Sequence, residues 1–219
     1  MKDKEVMACA QTGSGKTAGF LLPIINNLLK NRKQTPAAMI GEPNYESKWI
    51  SHPEAIILAP TRELAIQIAK EANIYTTKLP LKVATVYGGA AFNGQKRSAM
   101  SAHIIAATIG RFADMVEKGV IDLKSVKYFV IDEADRMLDQ GFGPEVESLV
   151  AKLPKERISL MFSATFPDDV QQLSQAVLRS GYYFVTVGIV GSTNEQIKQE
   201  ILRVSVIRFP PSVLNVNTL

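Results

Sequence analysis

The sequence predicts an α/β fold, a parallel β-sheet with helices on both faces. Three features of the 219-residue chain point to it. Short apolar runs rich in β-branched residues recur along the chain, they are apolar at consecutive rather than alternating positions, and helix-length stretches separate most of them. A strand apolar on both faces has to be covered on both, and a parallel connection needs a crossover long enough to hold a helix. With 46% of residues hydrophobic and 21% charged, disorder is excluded for most of the chain, and a core of one large domain or two small ones is within reach.

Taken in order, the first strand is expected at 6–10 and runs through a glycine-rich turn into a helix over 16–31. Residues 32–53 carry Pro36, Gly41, Pro43 and Pro53 among polar residues and read as a long surface loop. Further strands follow at 55–59, 83–87, 103–107, 128–131, 158–162 and 183–187, each a short apolar run. Helices fill the gaps at 62–78, 93–101, 111–118, 143–153 and 168–178. From Gly188 the rhythm fades: Gly191, Ser192, Thr193 and Asn194 read as a linker, and a last alternating run at 201–207 precedes Pro210 and Pro211. A strand with no helix after it has nothing to pack on, so 188–219 is expected to be mobile and to begin a further unit.

The chain is expected to be soluble and intracellular. No apolar run reaches the ~18–20 residues of a membrane span, so no membrane partner is expected. No secretory signal follows the opening Met1, Lys2, Asp3, Lys4 and Glu5. Cys9 is the one cysteine and cannot form an internal disulfide, which fits a reducing compartment. Lys and Arg number 25 against 21 Asp and Glu, a net charge of +4. The isoelectric point of about 9.1 permits a nucleic-acid partner without requiring one.

Chemistry concentrates at two strand ends. The first strand feeds Ala10, Gln11, Thr12, Gly13, Ser14, Gly15, Lys16 and Thr17 into a helix, which is the layout of a phosphate loop. Backbone N–H groups in such a turn wrap phosphates, Lys16 reaches the β and γ phosphates, and the Thr17 hydroxyl ligates Mg²⁺. Ala10 stands where the usual pattern has its first glycine. A plain strand–turn–helix connection would need only a capping hydroxyl, and would not require Gly13, Gly15, Lys16 and Thr17 together. The strand at 128–131 ends in Asp132, Glu133, Ala134 and Asp135. Acidic residues can simply start a helix, where they complement its dipole. Beside a phosphate loop they have a second reading, with Asp132 holding the metal of a bound nucleotide and Glu133 orienting and deprotonating the attacking water. Cys9 and the methionines, including Met137 and Met161, read as core; His52 and His103 read as structural or exposed.

Together these stretches resemble motifs I and II of the DEAD-box RNA helicases, a family whose first motif tolerates alanine at the Ala10 position. The other motifs follow in order: Pro60-Thr61-Arg62-Glu63-Leu64-Ala65 resembles motif Ia, Gly88-Gly89 the glycine doublet, Thr108-Ile109-Gly110-Arg111 motif Ib, and Ser163-Ala164-Thr165 motif III. Ile109 stands where the family usually has proline and is expected to loosen that turn. Ala8-Cys9-Ala10, the stretch from Met161 to Pro167, and Val190-Gly191-Ser192-Thr193 are most similar to the Vasa-like branch.

The resemblance implies a RecA-like helicase domain over 1–187 that uses ATP and Mg²⁺, followed at 188–219 by a linker and the truncated start of a second helicase domain. It implies RNA binding through Pro60, Thr61, Arg62, Gly88, Gly89, Thr108, Gly110 and Arg111, by backbone contacts that carry no base information. It also implies a coupling link from Ser163, Ala164 and Thr165 to Asp135, and a cytoplasmic protein. The second domain, with its arginine fingers, and the adenine-reading glutamine motif have no counterpart here. The reading is thus the first domain of an ATP-dependent RNA helicase, weak in ATP and RNA binding and inactive in unwinding on its own. Two alternatives stand beside it: a non-catalytic RNA- or protein-binding module with a residual nucleotide site, and a P-loop enzyme unrelated to RNA, such as a small-molecule kinase.

Overall fold

A computed structural model describes residues 4–11, 13–32 and 50–188. They form a seven-stranded sheet in the order β3-β4-β2-β5-β6-β1-β7, and every strand pair in it is parallel. The strands are β1 (Val6–Ala10), β2 (Ala55–Leu58), β3 (Val83–Val86), β4 (Ile104–Ala107), β5 (Tyr128–Ile131), β6 (Ile158–Ser163) and β7 (Tyr183–Val187). The helices are α1 (Lys16–Arg32), α2 (Arg62–Tyr75), α3 (Phe92–Met100), α4 (Ile109–Glu117), α5 (Ala134–Asp139), α6 (Gly143–Lys152) and α7 (Asp168–Val177).

Consecutive strand residues point to opposite faces, and each face has its own core. On one side Ala8, Ile57, Ile104, Val130, Leu160 and Phe162 pack against α1 through Phe20, Ile24 and Leu28, and against α2 through Ala65, Ile68 and Ala72. On the other, Met7, Ile56, Leu58, Val86, Ile105, Phe129, Ile131 and Met161 meet α3 to α7 through residues such as Phe112, Met115, Met137, Leu149 and Leu173. Because both faces are covered, β2, β4 and β5 are buried at every position. At the edge, β7 is exposed throughout. No helix among the described residues is long and apolar enough to cross a membrane.

Several element ends differ from the sequence expectation for local reasons. The helix expected over 62–78 ends at Tyr75, where the Thr76 amide and hydroxyl both bond back to the Ala72 carbonyl at 2.9 Å, and Lys78 lies in the left-handed region at φ 65°. α4 starts at Ile109, before the expected 111, and Ile109 is fully buried. Its turn is therefore anchored in the core rather than loosened, since burial supplies the constraint that a proline ring gives elsewhere. The short α5 has no counterpart in the sequence reading. Of the loop expected at 32–53, Arg32 closes α1 and residues 33–49 lie outside the described residues; its end is irregular, as expected, but anchored at one point. Ser51 pairs with Ile121 in an isolated parallel bridge and donates its hydroxyl to the Ala99 carbonyl at 2.6 Å. Beyond Gly188, the expected linker and start of a second domain also lie outside the described residues.

Candidate nucleotide site and nucleic-acid interface

In a parallel sheet every strand delivers its C-terminal loop to the same edge, where α/β folds bind ligands. The strand order then sorts those loops. β5, β6 and β1 are neighbours and bring together 132–135, 163–165 and the phosphate loop. β3, β4 and β2 are neighbours on the other half and bring together 87–91, 108–111 and 60–62.

In the phosphate loop Gly13 and Gly15 both have φ +81°. An added Cβ at either would meet nothing within 4 Å, so backbone conformation rather than space requires glycine. Ser14 N–H donates to the Gln11 carbonyl at 3.3 Å, and the Gly19 N–H to the Gly15 carbonyl at 2.9 Å. That bond is the first of α1, so the amides of Lys16, Thr17 and Ala18 have no acceptor within the helix. The first turn holds no acidic residue, and the helix end is left positive. Lys16 Nζ donates to the Ala10 carbonyl at 3.0 Å. Thr12 lies outside the described residues.

Two carboxylates of the acidic motif have opposite environments. Asp132 is 2% exposed, and one of its oxygens accepts the Glu133 amide at 3.0 Å. Burial, only partly offset by Lys16, pushes its pKa up to about 6. Such a carboxylate at the sheet edge lacks a full counter-charge, which is the environment a divalent cation would complete. Asp135 Oδ2 accepts three hydrogen bonds, from the Ala164 amide at 3.1 Å, the Thr165 amide at 3.0 Å and the Thr165 hydroxyl at 2.9 Å. Its own amide donates to Ser163 Oγ at 3.3 Å. Burial raises the Asp135 pKa, but the bonds from Thr165, the Arg136 amide and Ser163 outweigh it and hold the group below the usual carboxylate range. Between them Glu133 sits at φ 53° and ψ 56°, left-handed for a residue with a Cβ. Such a conformation costs about 1–2 kcal/mol and persists where the surroundings enforce it. Its carboxylate pairs with Arg136 Nη1 at 3.3 Å.

On the other half, α2 and α4 point their N-termini at the edge. Thr61 caps α2, accepting the Leu64 amide at 3.2 Å, whereas Thr108 opens α4 without a side-chain capping bond. Pro60 is buried, while Arg62 and Gly110 are exposed. Gly89 has φ +80°, and a Cβ there would lie 2.6 Å from Arg62 Nη1 and 2.8 Å from Arg62 Cζ. Gly88 lies beside it in the same turn. Arg111 Nη1 donates to the Ala90 carbonyl at 3.1 Å, with its guanidinium 5.7 Å from the Phe92 ring centre. The sequence reading missed one residue here, the buried Gln95 of α3, which bonds both backbone groups of Tyr87. Cys9 is buried in β1, as the sequence reading has it, with its thiol against the Ala164 carbonyl at 3.5 Å. His103 is structural, its Nδ1 accepting the Lys82 amide at 2.9 Å.

A phosphate loop on an inner strand, an acidic strand end two strands away and a parallel sheet covered on both faces define a RecA-like P-loop domain. The profile of the DEAD/DEAH box helicases matches residues 1–173. The chain belongs to that family. It is 46% identical over 207 residues to a probable ATP-dependent RNA helicase, vasa-like, of Penaeus vannamei, covering 92% of this chain and 28% of the relative. A DEAD box protein from the hyperthermophile Methanococcus jannaschii superposes with TM-score 0.70 at 37% identity, over 84% of this chain and 45% of that one. A hypothetical ATP-dependent RNA helicase from Sulfolobus tokodaii superposes with TM-score 0.69 at 31% identity, over 85% and 49%. The chain thus spans less than a third of the Penaeus relative and about half of the two archaeal proteins.

Proposed function

We propose that the chain is the first helicase domain of an ATP-dependent RNA helicase, binding Mg-ATP on one half of a single sheet edge and the RNA backbone on the other. The observation that carries this reading is the strand order, which groups the phosphate-binding loops apart from the arginine-bearing loops yet keeps both on one edge. Family membership sets aside the small-molecule kinase reading.

On the nucleotide half, the left-handed glycines and the open start of α1 present amides to the phosphates. Lys16 has three N–H donors and can keep its bond to Ala10 while meeting the β and γ phosphates. Thr17 and Asp132 would hold Mg²⁺, with phosphates and water completing its shell. When bound, that ion draws charge from the phosphate being transferred. Glu133, held by the turn into α5, orients the attacking water and accepts its proton. Asp135, through Ala164 and Thr165, ties this site to the end of β6. On the RNA half, Arg62, Arg111, Thr61, Thr108 and the amides of Gly88, Gly89 and Gly110 meet phosphate and 2′-hydroxyl oxygens, giving sequence-independent binding.

Turnover needs charge on the far side of the γ-phosphate, which we assign to a second helicase domain. Glu133→Gln, in a chain joined to such a domain, keeps ATP and RNA binding but loses turnover. The assay is nucleotide binding by fluorescent analogue alongside single-turnover hydrolysis, and a hydrolytically active Glu133→Gln protein removes the general-base assignment.

A further inference from the structure

We infer that Gln95 is a positioning residue for RNA binding, pinning the turn on which Arg62 and Arg111 are seated; this rests on the RNA reading above. β3 is the edge strand of the sheet, so where it ends the chain has a strand neighbour on one side only. The next residue, Tyr87, has both backbone groups taken by one side chain: its amide donates to Gln95 Oε1 at 3.0 Å, and its carbonyl accepts from Gln95 Nε2 at 2.9 Å. The carboxamide thus pairs with the backbone as a neighbouring peptide group would. Gln95 is 8% exposed, and leaving either of these polar groups unpaired there is costly.

Downstream of that pin, the turn touches both arginines. The Arg62 guanidinium lies on the open face of Gly89, where a Cβ would come within 2.6 Å of Nη1. Arg111 is held by the Ala90 carbonyl at 3.1 Å. The two arginines come from different helices, α2 and α4, and the 87–91 turn is the support they share. Gly89 gains a second reason to be glycine: it leaves the seat that Arg62 occupies. A long, exposed arginine on a fixed seat loses less side-chain freedom when it meets a phosphate. Releasing the turn therefore weakens RNA contacts made by residues that are not themselves changed.

The test is a double-mutant cycle on the 219-residue chain, using Arg62→Ala, Gln95→Met and the pair, with Gln95→Glu as a second variant that keeps the acceptor and loses the donor. Fluorescence anisotropy of a labelled single-stranded oligouridylate at low salt reads RNA affinity, and a fluorescent ATP analogue reads the nucleotide half. Gln95→Met is expected to weaken RNA binding about fivefold or more while leaving nucleotide affinity unchanged, and Gln95→Glu to fall between it and wild type. In the Arg62→Ala background the Gln95→Met effect should shrink to less than half, because the two act through one seat. Full additivity of the two effects, or an equal loss of nucleotide affinity, overturns the positioning role while Arg62→Ala still upholds the RNA reading. If Arg62→Ala and Gln95→Met both leave RNA affinity unchanged, the RNA reading itself fails and the inference falls with it.

Discussion

Asp132 should destabilise the nucleotide-free domain at neutral pH, and replacing it with asparagine should reveal by how much. The carboxyl is 2% exposed, and its pKa is pushed up from 3.8 to about 6, first by burial, with Lys16 only partly offsetting it. The folded state therefore holds this proton more tightly than the unfolded chain does. Its stabilising contribution is complete below the unfolded value and is lost as pH rises through the folded one, between about pH 4 and 6. A shift of roughly two units at about 1.4 kcal/mol each corresponds to roughly 3 kcal/mol above pH 7. Asp132→Asn keeps an oxygen for the Glu133 amide, which now sits 3.0 Å from the carboxylate, and removes the titration. In a chelator-containing buffer the variant should be more stable by about 3 kcal/mol near pH 7.5 and by only about 1 kcal/mol near pH 4.5. For a domain of this size that is a rise in Tm of roughly 6–12 °C at the higher pH. Urea unfolding followed by circular dichroism at both pH values measures it. Mg-nucleotide should then stabilise the wild type far more than the variant, because the ion is the counter-charge the carboxylate lacks. A variant with the same advantage at both pH values would refute the assignment of this cost to a buried, ionised Asp132.

Two further outcomes follow from the site geometry. Thr165→Val deletes one of three hydrogen bonds to Asp135 Oδ2, the one of 2.9 Å from the hydroxyl, while both backbone donors remain. The Asp135 pKa should rise toward its ordinary value, seen by carboxyl ¹³C NMR titration, with nucleotide affinity changed by less than about threefold; an unmoved pKa contradicts the network. Arg62→Ala and Arg111→Ala should each weaken binding by similar factors for every RNA sequence and lower the salt slope by about one. A changed sequence preference in either variant would show base contact rather than backbone contact at that residue.

What the sequence made legible follows the range of the interactions involved. β1, β5 and β7 have the expected bounds because each is a short, largely apolar run closed by charged or glycine-bearing turns, a local signal. The loop clusters were legible too, because parallel strands leave one choice of edge. Helix ends were less so. α4 starts at Ile109 because that side chain finds a core pocket, a tertiary event with no local signature. α5, only six residues long, is hidden in the acidic motif. Gln95 reads as one more polar residue on a polar helix until the fold brings it to Tyr87, eight positions away in sequence. The residues of the acidic motif and the link from Asp135 to residues 163–165 could be named from the motifs, but that Asp132 is buried comes only from what packs around it.

The central claim is that this domain holds ATP and RNA on one edge but needs a second domain to convert binding into turnover. Single-turnover ATP hydrolysis, with and without single-stranded RNA, tests it most directly when the 219-residue chain is compared with the same chain joined to a second helicase domain. The account predicts that the chain alone binds Mg-ATP weakly, that RNA leaves its slow hydrolysis unchanged, and that RNA accelerates hydrolysis only in the joined protein. RNA-stimulated hydrolysis by the chain alone, or a joined protein indifferent to RNA, would contradict it.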